Sequence, residues 1–260
     1  MPAALASELA GCHFPRVTLK RPHSRTTAAL RRAYSLMRAQ HGHQAWWPGE
    51  TPFEVCVGAI LTQNTSWTNV ERAIANLKRA DLLEPRRLFA LPEAELAVLL
   101  RPTGYFNLKA KRLRAFLRVL VEDFAADLAQ LFAGPTPLVR ERLLAISGIG
   151  PETADCLLLY AGGHLSFVVD AYTKRIFHRH GWGGAGSSEF KVPSSKSNTR
   201  AEYDGLQALC EAALSHGPTA ELLDYWQDYH AQLVVVGKIY CRPREARCEA
   251  CPLKPVLPIG

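Results

Sequence analysis

Asp170 is a lone acid between the apolar run Phe167-Val168-Val169 and the basic pair Lys174-Arg175. A carboxylate so isolated is suited to stabilising a developing positive charge. Twenty residues earlier, Ser147-Gly148-Ile149-Gly150 joins an apolar helical end (Leu143, Leu144, Ile146) to a second apolar helix opened by Pro151. Two glycines two apart, with proline at the first helical position, make a tight connection whose new helix begins with exposed backbone N–H groups. Those groups and the helix dipole favour a bound anion, a nucleic-acid phosphate among the candidates. Plainer uses exist for the same residues: Gly-x-Gly also makes simple turns, and an Asp after a loop is a common N-cap. A third group, Cys241-x6-Cys248-x2-Cys251, spaces three thiols as metal ligands are spaced.

These residues need a scaffold, and the chain's periodicity predicts a helical one. Leu30, Tyr34 and Met37 recur on one face of a helix from Thr27 to about Gln40, and Pro52 to Leu61 is apolar nearly all round, as a buried helix is. Segments Val70–Leu77, Pro92–Leu100, Ala110–Phe124, Leu138–Ile146, Ala201–Leu214 and Leu222–Ile239 also read as helices between Pro or Gly punctuation. No multi-strand alternation is present, so the fold class is all-α. Residues 1–24 carry no period and are expected to form a loose arm, and the Gly- and Ser-rich stretch from Gly181 to Asn198 has linker composition.

With 260 residues the chain is long enough for one large domain or two compact lobes. A hydrophobic fraction of 48% with 21% charged residues describes a soluble globular protein. The net charge of +7 favours a polyanionic partner, and solubility alone accounts for such a charge equally well. Absence of an apolar run of about 18 residues argues against a transmembrane helix, and Glu8 with no basic region before it argues against a signal peptide. Seven cysteines, an odd number, fit reduced thiols and a cytoplasmic location, nucleoid-associated if bacterial, better than a disulfide framework.

The stretch from Leu143 to Ile176 resembles the helix-hairpin-helix, Gly/Pro-rich loop and Asp of the endonuclease III superfamily of DNA glycosylases, and further matches run in order from about Trp46 to Pro252. The resemblance implies two helical lobes flanking a DNA-binding cleft: residues 52–165 as a six-helix lobe, and 25–51 with 166–260 as a discontinuous second lobe. It implies that Asp170 is essential for cutting the N-glycosidic bond and that Gly148, Ile149 and Gly150, helped by Lys174 and Arg175, hold the DNA backbone. The segment GAILTQNTSWTNVERAI is similar to a family helix-loop-helix in which the residue at Gln63 fills the gap left by an extruded nucleotide. Tyr105, in Gly104-Tyr-Phe-Asn-Leu-Lys-Ala110, matches a second probe loop and is either a stacking wedge or a buried aromatic at a helix start. Extruding a base from a duplex requires such wedges.

Trp46-Trp47-Pro48, together with Trp67 and Glu152, looks like the 3-methyladenine glycosylase branch, whose pocket stacks the extruded base between aromatic rings. The tryptophans could equally pack the lobe junction. Bifunctional members carry a lysine where this chain has Glu152, so efficient lyase chemistry is not expected. The cysteines match the first three ligands of the family's [4Fe-4S] cluster, with Leu257 where a fourth Cys would stand. A complete site needs a non-Cys ligand, a remote Cys210 or a bound small molecule; zinc on three thiolates plus another ligand and a site in decay are the other readings. The expected function is a monomeric glycosylase releasing an alkylated purine from damaged double-stranded DNA, with no membrane role. The alternatives are an endonuclease III-type glycosylase and lyase for oxidised pyrimidines, or a catalytically silent DNA-binding protein.

Overall fold

The computed structural model describes residues 24–45, 49–182 and 200–258. Twelve α-helices appear among them: α1 (Ser24–His41), α2 (Pro52–Leu61), α3 (Trp67–Arg79), α4 (Pro85–Ala90), α5 (Glu93–Leu99), α6 (Phe106–Arg118), α7 (Leu128–Leu131), α8 (Thr136–Leu144), α9 (Pro151–Cys156), α10 (Ala171–His180), α11 (Arg200–Leu214) and α12 (Thr219–Ile239). No strand occurs among the described residues, where the nearest thing is an isolated bridge between Cys241 and Ala246. The all-α reading therefore holds. None of these helices is long and apolar enough to cross a membrane. Residues 1–23, Trp46, Trp47, Pro48 and the stretch 183–199 lie outside the described residues, so the expectations for the arm, the aromatic triplet and the linker fall there.

Local chemistry explains where the key helices start. Thr51 caps α2 by accepting from the Glu54 N–H (3.1 Å), with Pro52 at the first helical position, where a missing N–H costs nothing. From Phe53 to Leu61 every residue of α2 is buried, as its nearly all-apolar sequence requires, and the one charged residue, Glu54, pairs with Lys78 (2.9 Å). Helix α10, absent from the periodicity reading, is bounded by Asp170 as N-cap and by Gly181 in the left-handed region at φ 65°. Short helices α4 and α7 also escape periodicity, because six and four residues are too few to show a period.

Two hydrophobic cores result. One gathers apolar residues between Phe53 and Leu158; the other joins Leu30, Ala33 and Met37 of α1 to residues between Leu159 and Leu253. Helix α9 continues as a wide π turn, Leu157–Ala161, which gives Leu157 and Leu158 to the first core and Leu159 to the second. A buried polar knot crosses the same junction. Asp155 of α9, fully buried, accepts from Arg140 of α8 (2.7 and 2.9 Å), from Ser166 (2.6 Å) and from Tyr203 of α11 (2.8 Å). Four charge-assisted bonds on one carboxylate hold the elements that flank the hairpin in register.

Candidate active site

The hairpin turn between α8 and α9 carries its glycines for different reasons. Gly148 adopts φ +88°, and a Cβ there would stand 2.3 Å from Arg112 Cγ. Gly150, extended at φ −93° and ψ 178°, is the N-cap of α9 and has open space where a side chain would go. Ile149 behaves otherwise: its side chain is in the first core and its N–H is donated to the Ile146 carbonyl (3.0 Å). Of the three hairpin residues expected to offer N–H groups outward, Ile149 is thus withdrawn by its own turn.

Arg175 is withdrawn as well. Its guanidinium donates to the carbonyls of Cys241 (2.6 Å), Gly237 (3.1 Å) and Ala171 (3.4 Å), tying α10 to the end of α12. The expectation of a DNA contact from Arg175 is corrected accordingly, since a planar cation so occupied is a structural clamp. Lys174, one residue earlier on the helix, does line the cleft beside Gly148, Gly150 and Glu152. Arg112 and Arg200 line it too and were not singled out in the sequence.

Two adjoining cavities form the site, an outer cleft of about 540 Å³ and an inner pocket of about 500 Å³. They share Gln63, Asn64, Glu152 and Thr153 as a common rim. Gln63 donates to the Gly148 carbonyl (3.1 Å) and Thr153 Oγ1 (2.9 Å) and accepts from Arg112. Those three bonds would have to open for Gln63 to enter a duplex. Tyr105 is 74% exposed and held at φ 45°, in the left-handed region, at the start of α6. Exposure rules out the buried-aromatic alternative, and a bulky residue at positive φ is a strained conformation of the kind found at ligand contacts.

The inner pocket has Asp170 as its buried acid and Trp67 and Tyr172 as its described aromatic walls. Trp67 packs its ring on Gly58, where a Cβ would stand 3.1 Å from the indole, and donates Nε1–H to Glu71 (2.9 Å). Tyr172 leans on α12 at Gly237, where a Cβ would meet its ring at 2.3 Å. Sequence reading missed Tyr172, although its place two residues after Asp170 was a signal.

Asp170 both caps a helix and faces the pocket. Its Oδ1 accepts from the Thr173 N–H (2.7 Å) and Thr173 Oγ1 (2.9 Å), capping α10, while its side chain also lines the pocket. Burial on its own would raise this carboxyl; His230 and the two Thr173 bonds outweigh it and hold the group below its ordinary value. Glu152 lies open at the rim. The cleft walls around it and the Asp170 charge push its carboxyl up to about 7. Two carboxyls in one cleft are thus driven apart, one kept ionised and the other near half-protonated at neutrality.

The cysteine group lies elsewhere. Cys241, Cys248 and Cys251 line one cavity with Arg179 and His180 of α10, and Leu257 faces it from the fourth-ligand position. Arg179 donates to Cys241 Sγ (3.1 Å), and His180 Nδ1 lies 3.2 Å from the Val256 carbonyl. Cys210, buried in α11 within the second core, does not line this cavity. Among the described residues no three His, Cys, Asp or Glu side chains converge tightly enough for a single metal ion. A set of four thiolates is one short.

Residues 57–212 match the HhH-GPD superfamily base excision DNA repair protein family. A Methanocaldococcus jannaschii protein named as a candidate DNA repair glycosylase is 44% identical over 223 residues, covering 85% of this chain and 92% of that one. Endonuclease III of Thermotoga maritima is 28% identical over 203 residues, 78% of this chain and 81% of its own. Among solved structures, the 3-methyladenine DNA glycosylase of H. pylori bound to 1,N6-ethenoadenine superposes with a TM-score of 0.65 at 28% identity, covering 82% of this chain and 97% of that one.

Proposed function

The chain belongs to the HhH-GPD superfamily of base excision DNA repair proteins and is a DNA N-glycosylase, and from that premise we propose that it hydrolyses the N-glycosidic bond of an alkylated purine, such as 3-methyladenine, flipped out of damaged duplex DNA. The observation that carries this reading is the inner pocket, where a buried carboxylate, Asp170, stands with two aromatic side chains, Trp67 and Tyr172. Alkylation at N3 or N7 gives the base a positive charge, and a cation over an aromatic face gains roughly 0.5–2 kcal/mol. Such a base leaves readily, so stabilising the sugar cation is the main task left to the protein.

Asp170 performs it by geometry. With Oδ1 fixed by Thr173, the carboxylate keeps its charge in place as positive character grows at C1′, and it orients the water that attacks there. Gly148, Gly150 and Lys174 position the phosphate backbone, and Gln63 and Tyr105 are the wedges that replace the extruded nucleotide. Trp46, Trp47 and Pro48 are further candidates for the base pocket. Glu152, a carboxylate, cannot form an imine, which supports a monofunctional enzyme.

The spacing Cys241-x6-Cys248-x2-Cys251 and the shared cavity support a [4Fe-4S] cluster with one ligand position left to a non-Cys group. Cys241, Cys248 and Cys251 would hold it, with His180 as the available non-thiolate ligand. A neutral His180 whose Nδ1–H donates to Val256 keeps its Nε2 lone pair for a metal. The cluster would supply structural cross-linking of the C-terminal segment to α10 and α12.

Release of free base from duplexes carrying 3-methyladenine or thymine glycol tests the lesion, with borohydride trapping on abasic DNA alongside. Alkylpurine release without a trapped adduct is expected. Thymine glycol release with strong trapping, through Lys174 or Lys238 in the cleft, would favour the endonuclease III-type reading instead.

A further inference from the structure

His230 of α12 was not among the residues the sequence singled out, yet it is buried against the reacting carboxylate. Its Nε2 lies 3.7 Å from Asp170 Oδ2, too long for a hydrogen bond, and has no hydrogen-bond partner although it is buried. Its Nδ1 lies 2.6 Å from Tyr160 Oη, and that hydroxyl also donates to the Gln227 carbonyl (3.1 Å). A buried polar atom left without a partner is costly, so it needs a reason to be there.

The proton positions follow from this neighbourhood. With the Tyr160 proton on Gln227, the hydroxyl oxygen accepts from Nδ1–H, and a neutral ring would then aim the Nε2 lone pair at a carboxylate. Repulsion between that lone pair and the carboxylate disfavours this arrangement. If Tyr160 instead donates to Nδ1, the neutral ring carries its proton on Nε2. In that arrangement an Nε2–H faces Asp170 Oδ2.

We propose that His230 is a positioning residue for Asp170, whose Nε2–H holds Oδ2 ionised and directed into the pocket while Thr173 holds Oδ1. This inference rests on the reading of Asp170 as the reacting carboxylate. A carboxylate buried in a pocket that DNA will seal from water needs a local donor to stay charged, and among the described residues His230 is placed to supply one to Oδ2. The 3.7 Å gap is short enough to close when the lobes grip a duplex.

Other charged or titratable groups around the pair are Glu152 and Cys156 of α9, Tyr160 of the π turn, Tyr172 and Lys174 of α10, and Asp228 and Lys238 of α12. Burial raises Cys156, Tyr160 and Tyr172 away from the acid range. Asp228 is bound by Arg38, Tyr34 and the Gln44 N–H. Glu152 is the acid that would blur a pH profile, so the measurement is made in a Glu152→Gln background.

The experiment is single-turnover base release against pH for that background and for His230→Leu and His230→Gln added to it. Losing the Nε2–H raises the Asp170 carboxyl toward the value burial dictates, and activity needs it ionised. His230→Leu should therefore move the acid limb up by at least about one pH unit, with the rate recovering to within about tenfold above the new limb. His230→Gln, which keeps an N–H, should move it less. An unmoved limb, or an equal loss at every pH, overturns the proposal; if His230→Leu does not fold, the same criterion applied to His230→Gln decides. Asp170→Asn separates the two inferences: an active Asp170→Asn enzyme refutes the Asp170 reading itself, whereas an inactive one with an unmoved His230 limb refutes His230 alone.

Discussion

Asp170→Asn isolates charge from architecture, because the structure divides the two carboxylate oxygens between different tasks. Oδ1 caps α10 through the Thr173 N–H and hydroxyl, and an Asn Oδ1 accepts the same bonds. Asn and Asp are about equally good N-caps, so the cap itself should lose only a few tenths of a kcal/mol. What disappears is one negative charge that the proposed mechanism sets next to C1′. Two unit charges about 4 Å apart at an effective dielectric of ~20 interact by about 4 kcal/mol. At about 1.4 kcal/mol per tenfold, the rate of base release should fall on the order of 1,000-fold. Single-turnover release of 3-methyladenine under saturating enzyme measures the step directly, with thermal melting and affinity for an abasic-analogue duplex as controls. A variant that melts near the wild type, binds DNA as well and releases base within tenfold of the wild-type rate would refute the charge argument. Asp170→Ala should lose the cap as well, about 1 kcal/mol of additional stability, and so separates the two tasks.

Gly150→Asp should fold and melt no lower than the wild type, since the position is open and Asp is a favoured N-cap, yet bind every duplex about tenfold more weakly by setting a negative charge at the phosphate site; fluorescence anisotropy on undamaged and damaged duplexes measures it, and unchanged affinity would remove the hairpin as the anchor. Glu152, near half-ionised at about pH 7, is neutral below that pH and anionic above it. DNA affinity should therefore weaken between pH 6 and 8, and Glu152→Gln should flatten that dependence; an equally steep curve in the variant would count against it. Asp155→Ala strands Arg140 and removes the bonds from Ser166 and Tyr203. The loss should be about 3–5 kcal/mol, a fall in Tm on the order of 10 °C by calorimetry. A shift of a degree or less would show that the knot is not what holds the junction.

Local pattern carried much of this protein in its sequence. A nearly all-apolar ten-residue run such as Pro52–Leu61 reads as a buried helix, and Ser147-Gly148-Ile149-Gly150-Pro151 encodes its turn through φ +88° at Gly148 and proline at the helix start, both properties of single residues. Asp170 was legible for the same reason, being the one acid in an apolar and basic stretch. Helix α10 was marked by its cap and by Gly181, but its apolar period is weak and only the caps announce it. Side-chain alliances between distant residues were not legible. Lys174 and Arg175 are neighbours with the same charge in the sequence, and only packing against α12 sends Arg175 to the carbonyls of Gly237 and Cys241 while Lys174 lines the cleft. His230 lies sixty residues beyond Asp170, with nothing around it to mark it as a partner. Periodicity and turn chemistry are written within a few residues and the sequence determines them alone, whereas the charge state of Asp170 depends on which groups two packed cores press against it, and the tertiary structure alone decides that.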